Sequence, residues 1–384
     1  MQTHDNIMAS DRPHIVVVGA GIIGASIAWH LAAVEHADVT VVAPAAGIGG
    51  TATPNSFAWI NANSGNARPY YELRRRSMAV WRKLASDVPG LDGLVRWHGT
   101  IQWNKPADEL AAFIDEHTRW GYTLDKVTDE DITRLEPGLS DAAEIRPAAG
   151  WAVRAPDEGT VEPALAAQLF VEQAKAKGAQ VVTKGVAKLL WSSGHVTGLI
   201  LEDGTQIKAD HVVLAAGLGS VPLCASVGVK LPVHPRPGLL AHTKPISKRL
   251  LKGIILSAGP HVRQTVEGRL VIGADFAGGN VGNESPDEQR RDAIALVDKA
   301  KTLFRPEDAA LLDLDFFTVG ERPQPGDGLP IVDAAVLPGL AVAVMHSGVT
   351  LAAVVGELLA KAVVRHDVDP ILEAYSIKRF GEAG

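Results

Sequence analysis

One stretch near the start of the chain limits the fold more than any other. His14–Leu31, HIVVVGAGIIGASIAWHL, runs Ile15, Val16, Val17 and Val18 into Gly19-Ala20-Gly21-Ile22-Ile23-Gly24. Apolar residues then recur at helical spacing (Ile22, Ile23, Ile27, Leu31). A G-x-G-x-x-G triplet between a strand and a helix gives each glycine its own task. Gly19 makes the tight turn, Gly21 lets backbone approach a pyrophosphate, and Gly24 lets the helix pack closely on the strand. A diphosphate would lie on the N-terminus of that helix, where unpaired N–H groups and the helix dipole favour negative charge. The expected class is α/β, starting from a Rossmann-like βαβ unit.

Asp38-Val39-Thr40-Val41-Val42-Ala43 is the expected second strand. A dinucleotide site usually places Asp or Glu at its end to accept from ribose hydroxyls. Here the chain has Ala43-Pro44, with neither the acid that NAD wants nor the arginine that NADP wants. Losing such a hydrogen bond costs on the order of 1.5–3 kcal/mol, which a larger cofactor with more contacts absorbs better. Gly47 to Ala58 follows, too polar and too broken by Gly and Pro for a core helix. Its Thr51, Asn55 and Ser56 are candidate donors around a ligand.

The 384 residues suffice for two domains or one large discontinuous one. A net charge of −7 with no basic block argues against nucleic acid, and Arg74-Arg75-Arg76 is expected on a solvated helix face. The single Cys224 excludes a disulfide framework and a multi-cysteine zinc site, so no metal is expected. Residues 1–12 lack the apolar core of a secretory signal and no apolar run is long enough for a membrane span, so a cytoplasmic protein is the expectation. Motifs of phosphate loops, serine-hydrolase elbows and zinc proteases are missing.

Further on, helices are expected over Tyr70–Leu84, Ala107–Trp120 and a short segment capped by Thr128, with a strand over 97–103. Trp59, Tyr70, Tyr71 and His98 are expected to pack. Asp157-Glu158-Gly159 is a turn, Glu162-Pro163 opens a helix stopped by Gly178, and Asp203-Gly204 joins a hairpin. Val212–Gly217 is an apolar strand ending in small residues, which lets a ligand come close. Residues 233–275 alternate as antiparallel strands, and a helix follows over Pro286–Phe304. Gly339–Met345 is a buried strand, His346–Thr350 a turn, and the last helix puts Leu351, Val354, Val355, Leu358, Leu359 and Val363 on one face.

In this order the chain resembles the D-amino-acid oxidase and glycine oxidase family of flavoproteins, which also includes D-amino-acid dehydrogenases and sarcosine oxidase. The resemblance spans almost the full length. It is carried by Gly19–Gly24, Gly49-Gly50-Thr51, Asp157–Pro163 (DEGTVEP), Leu214–Gly217 (LAAG), Gly320-Glu321-Arg322-Pro323 with Asp327–Pro330, and His346–Ala352 (HSGVTLA). It implies a discontinuous FAD-binding domain of residues 1–80, 150–220 and 320–384. An antiparallel, sheet-rich substrate domain of 81–149 and 221–319 would complete an α+β whole.

The resemblance also implies roles for residues. Non-covalent FAD would be held by Gly19, Gly21, Ile22, Ile23 and Gly24, by Ala43, and by Gly50, Thr51, Ala52, Asn55 and Ser56. Val186, the strand end Ala215, Ala216 and Gly217, and the turn Gly348, Val349, Thr350 and Leu351 complete the cofactor set. The last turn would place a helix N-terminus at the negative edge of the reduced flavin. Arg322 matches the arginine that pairs with a substrate carboxylate, with hydride leaving the α-carbon for flavin and an imine left to hydrolyse. Many relatives carry a second such arginine where this chain has Ser347-Gly348, so Arg263 is a candidate for that part. His346 would act as a base if the substrate were a 2-hydroxy acid. Gly320 stands near the place where relatives attach flavin to cysteine, so a covalent bond is not expected. The substrate is expected to be an amino acid or amine and the electron acceptor oxygen, a quinone or a protein. Alternatives are a 2-hydroxy-acid dehydrogenase or the flavin-binding subunit of a hetero-complex.

Overall fold

The computed structural model describes residues 12–63, 65–142, 145–274 and 281–381. The chain opens with β1 (His14–Val18), α1 (Ile22–Trp29), β2 (Asp38–Val42) and α2 (Arg68–Asp87). It continues through β3 (Thr100–Gln102), α3 (Ala107–Arg119), β4 (Asp125–Thr128) and β5 (Trp151–Ala155). Next come α4 (Pro163–Ala176), β6 (Gln180–Val182), β7 (His211–Leu214) and β8 (Val233–Thr243). Then follow β9 (Ile254–Leu256), β10 (His261–Gln264), β11 (Leu270–Gly273) and α5 (Pro286–Lys301). The last long elements are β12 (Leu314–Pro325), β13 (Ile331–Leu337), β14 (Leu340–Val344) and α6 (Gly348–Arg365).

Six strands form the central sheet in the order β13-β14-β7-β1-β2-β6, parallel except for the β13–β14 pair. Parallel strands covered on both faces read as unbroken apolar runs, and Val16, Val213 and Val342 are fully buried. Helices α1 and α6 pack together on one face. They approach closely because position 356 is glycine: a Cβ there would lie 2.8 Å from Nδ1 of His30. On α6, Leu351, Val354, Val355, Leu358 and Leu359 are at most 1 % exposed, each burial worth roughly 1.5–3 kcal/mol. The start of α6 is clamped by α2. Trp81 donates its indole N–H to the carbonyls of Val349 (3.0 Å) and Thr350 (3.1 Å), and the Ser77 hydroxyl donates to the Thr350 carbonyl at 2.5 Å.

A second sheet of eight strands runs β12-β8-β11-β10-β9-β3-β5-β4, antiparallel apart from β3–β9. Its longest ladder joins β8 to β12 from Val233↔Pro325 to Thr243↔Leu314. Helix α5 covers it with Ala293, Leu296, Val297 and Ala300, and starts at a Ser285/Glu288 capping box. Two small three-stranded sheets complete the fold. One is the hairpin region Val186–Ser192, His195–Leu201 and Gln206–Lys208; the other joins Trp59–Ile60, Gly159–Val161 and Val95–Arg96.

The structure departs from expectation in specific places. The strand expected over 97–103 is split, with Val95–Arg96 in one sheet and Thr100–Gln102 in another. The break falls at Gly99, whose φ of +80° and closeness to the Ala155 carbonyl (2.9 Å from a would-be Cβ) suit glycine alone. The alternating region ends in strand at Gly273; residue 275 lies outside the described residues. Trp151–Ala155 and Gly320–Pro325, expected with the nucleotide-binding part, hydrogen-bond into the eight-stranded sheet.

Candidate active site

A cavity of about 1150 Å³ runs from the carboxyl ends of β1 and β2 to the face of the eight-stranded sheet. Small-molecule sites usually occupy roughly 300–1,000 Å³, so this one suits a large ligand. Two glycine turns that touch each other form part of its wall. A Cβ on Gly50 would lie 2.7 Å from the Cα of Gly21, and Gly19, at φ +107°, would drive a Cβ into the backbone of Ala215 and Ala216. The Ile22 N–H at the start of α1 donates to Oγ1 of Thr53 (3.1 Å), which ties the second loop to the first helix. Thr53 is absent from the residues expected on sequence, although its neighbours Thr51, Ala52, Asn55 and Ser56 are among them; all five line the cavity.

At one end the wall is Val42, Ala43, Pro44, Lys184, Val186 and Glu202. Glu202 is the only carboxylate among the described lining residues. Its carboxyl lies directly over Gly185, in the space a Cβ there would fill, while its own N–H donates to the Gly185 carbonyl at 3.0 Å. The neighbouring Lys184 is paired with Asp203 at 2.5 Å.

The other end gathers Arg322, Arg236, Arg74, His346 and the first residues of α6. Arg322 on β12 donates from Nε to the Arg236 carbonyl (3.2 Å) and from Nη2 to the Pro237 carbonyl (3.0 Å). Gly238 leaves the room: a Cβ there would lie 2.8 Å from Nη2 of Arg322. Burial and the nearby Arg236 charge both lower the pKa of Arg322. His346 contacts the Ser347 hydroxyl at 3.0 Å. Its pKa is pushed down to about 4, first by burial and then by Arg322, Arg236 and Arg74, so it is neutral at pH 7. Ser347 holds a left-handed φ of 58° at the N-cap position of α6, whose first N–H groups, at Gly348 and Val349, have no partner within the helix; both residues line the cavity.

Behind this end, Trp59 lines the cavity and donates its indole N–H at 2.7 Å to Glu158, which is fully buried. Burial raises the pKa of Glu158, while hydrogen bonds, including those from Tyr122, Trp59 and Asn63, oppose the rise. Glu158, expected as a turn residue, is therefore an anchor for the wall, and Trp59 is more than packing.

Nearly every site residue expected from sequence lines this one cavity; Gly24 and Leu351 do not. Gly24 packs on the carbonyl of Gly19, and Leu351 is fully buried with its N–H donated to the Ser347 carbonyl at 3.1 Å. Arg263 is removed as a carboxylate binder. It is buried, donates to the Phe57 carbonyl at 2.6 Å and pairs with Glu162 at 3.4 Å. The run 74–76 is only in part a solvated face: Arg74 is buried and bonded to Asn61 (2.6 Å), while the part-exposed Arg75 and Arg76 face Asp157 (3.9 Å) and pair with Asp369 (2.7 Å). Cys224 is buried, its thiol pushed up to about 12, and is not among the lining residues. A side chain at Gly320 would press on Asn55, with a Cβ 2.8 Å from that of Asn55.

Residues 14–362 match the family described as DAO, FAD dependent oxidoreductase. The chain belongs to this family. Glycine oxidase of Bacillus licheniformis is 26% identical over 388 residues, covering 96% of this chain and 98% of that protein. An opine oxidase subunit of Agrobacterium tumefaciens (strain Ach5) is 27% identical, covering 95% and 97%. The crystal structure of iminodiacetate oxidase from Chelativorans sp. BNC1 superposes with a TM-score of 0.79 at 22% identity, covering 94% of this chain and 98% of that one. As an FAD dependent oxidoreductase the chain uses FAD, and its cavity fits that group. The glycine turns at 19–24 and 47–50 pack backbone to backbone on the cavity wall, with no side chain between Gly21 and Gly50, and the first residues of both α1 and α6 line the same space. No helix among the described residues is long and apolar enough to cross a membrane.

Proposed function

We propose that this FAD-dependent oxidoreductase oxidises the C–N bond of an amino acid or carboxylated secondary amine. The observation that carries the reading is Arg322, on the same cavity wall as the N-terminus of α6. When bound, FAD supplies the acceptor for a hydride from the carbon next to nitrogen, leaving an imine that water hydrolyses. Arg322 holds the substrate carboxylate through a planar fork whose Nε and Nη2 are already fixed on two carbonyls. The neutral His346 accepts a hydrogen bond from the amine without adding a charge beside that fork. The start of α6, at Gly348 and Val349, would favour the negative charge that the flavin gains on reduction. Trp59, held by Glu158, closes the wall against water.

Glu202 takes the part of the acid missing after β2 and accepts from the adenosine end of the cofactor. The central sheet with α1, α4 and α6 is the FAD unit, and the eight-stranded sheet with α5 is the substrate unit. The activities of the relatives, named for glycine, opines and iminodiacetate, set the substrates to try first. One of those relatives is a subunit, so a partner chain is part of the search for the electron acceptor. The test is an anaerobic screen of glycine, sarcosine, D-amino acids, iminodiacetate and 2-hydroxy acids against the purified holoenzyme, read as loss of the visible flavin band. Bleaching by amines and not by hydroxy acids is expected; bleaching by hydroxy acids alone overturns the reading.

A further inference from the structure

Of the three arginines at the substrate end, Arg74 is spent on Asn61 and Tyr70, and the other two face each other. In the β8–β12 ladder Arg236 and Arg322 are direct cross-strand partners, and both line the cavity. Opposed residues of an antiparallel pair have Cβ atoms about 5 Å apart, and like charges there destabilise the sheet. Elsewhere this sheet pairs its arginines with acids: Arg263 with Glu162 at 3.4 Å, and Arg269 with Asp315 at 2.5 Å. For Arg236 and Arg322 no ion pair exists among the described residues, and Arg236 makes no side-chain hydrogen bond there. Glu321, next in sequence to Arg322, falls on the opposite face of its strand and does not line the cavity. The one carboxylate among the described lining residues, Glu202, belongs to the wall around Ala43 and Val186.

The two cations differ in depth. Arg322 is part-buried and fixed on the carbonyls of Arg236 and Pro237, while the Arg236 side chain is exposed at the rim. A guanidinium has five N–H donors, so the three that Arg322 keeps can serve one carboxylate. A second anionic group needs Arg236. We infer that this pair recognises a ligand with two carboxylates a short spacer apart, and that the substrate is an iminodicarboxylate, a secondary amine with a carboxylated arm on each side of nitrogen. The substrate half of this statement rests on the amine-oxidation reading; the two-carboxylate site does not.

The experiment titrates the holoenzyme with succinate and with butyrate, following the perturbation of the flavin absorption bands, for wild type, Arg236→Gln and Arg322→Lys. Wild type is expected to bind succinate at least tenfold more tightly than butyrate. In Arg236→Gln that ratio falls to near one, the loss being carried by succinate, whereas Arg322→Lys weakens both. Equal binding in wild type, or a preference that survives Arg236→Gln, overturns the inference. Anaerobic reduction by iminodiacetate and by sarcosine is then compared. A preference for iminodiacetate that needs Arg236 supports the substrate class; equal reduction by the two overturns it. If the Arg236-dependent preference for succinate holds and no amine reduces the flavin, the two-carboxylate site stands and the oxidase reading falls.

Discussion

Replacing Glu202 tests how this chain manages without an acid after β2. Its carboxyl is the only one on the described cavity wall and lies over Gly185 beside Val186, with no side-chain hydrogen bond of its own among the described residues. If it accepts from adenosine hydroxyl or amino groups, each bond is charge-assisted and worth about 1.5–3 kcal/mol. Glu202→Ala then weakens FAD binding by roughly 10- to 150-fold. Because the side chain is exposed, the change should alter folding stability by no more than about 0.5 kcal/mol. The assay is titration of apoprotein with FAD, followed by flavin fluorescence, beside the same titration with FMN, which lacks the adenosine. FAD affinity should fall and FMN affinity hold, and Asp203→Asn, which breaks only the pair with Lys184, should behave as wild type. A change in FAD affinity below threefold, or equal loss for FAD and FMN, refutes the assignment.

Other outcomes follow from the same geometry. Gly24→Ala drives a methyl into the Gly19 carbonyl and to 3.3 Å from the Ala215 Cβ, so α1 must shift. A loss of about 1–3 kcal/mol in thermal or urea unfolding, with poor flavin retention, is expected. His30 is buried with its pKa lowered from 6.5 to about 4, chiefly by desolvation. The unfolded chain therefore binds more protons in that window, and stability present above pH 6.5 is lost as pH falls towards 4. From pH 7.5 to 5 the loss is about 2 kcal/mol, and urea titrations of His30→Gln should lack it. His346→Gln should keep amine oxidation within about tenfold, since acid–base help is worth roughly 10²–10⁴ and the amine reading leans on orientation instead. A complete loss, measured by anaerobic flavin reduction, would make His346 an obligatory base.

The features legible in the sequence are those whose physics is local. The strand, glycine triplet and helix at 14–31 declare themselves within a few residues, as do the apolar strand 340–344 and the turn before α6. That both turns face one cavity followed from the resemblance. Long-range pairing is where local reading ended. Arg74 sits among charges in sequence, yet Asn61 and Tyr70 hold it inside. Arg263 looked available until the fold brought Glu162 beside it. Arg236 faces Arg322 only because β8 and β12, far apart in the chain, pair in that register. Glu202 flanks the Asp203-Gly204 turn and carries no mark of a ligand-facing residue until the hairpin lies over Gly185. Its one possible signal was the empty place at Ala43-Pro44, which asks for an acid from elsewhere.

The order of strands in the central sheet sets a timetable for the living cell. Strand β1 lies between β2, its near neighbour in sequence, and β7; beyond β7 comes β14, and the turn into α6 closes the cavity. A ribosome therefore synthesises every other wall before the stretch at 340–350, and a nascent chain halted short of it holds an open half-shell. Cofactor capture then comes as a late step of biogenesis, after the costly long-range pairings are made. Until then the edge of β7 that β14 will cover stays unpaired.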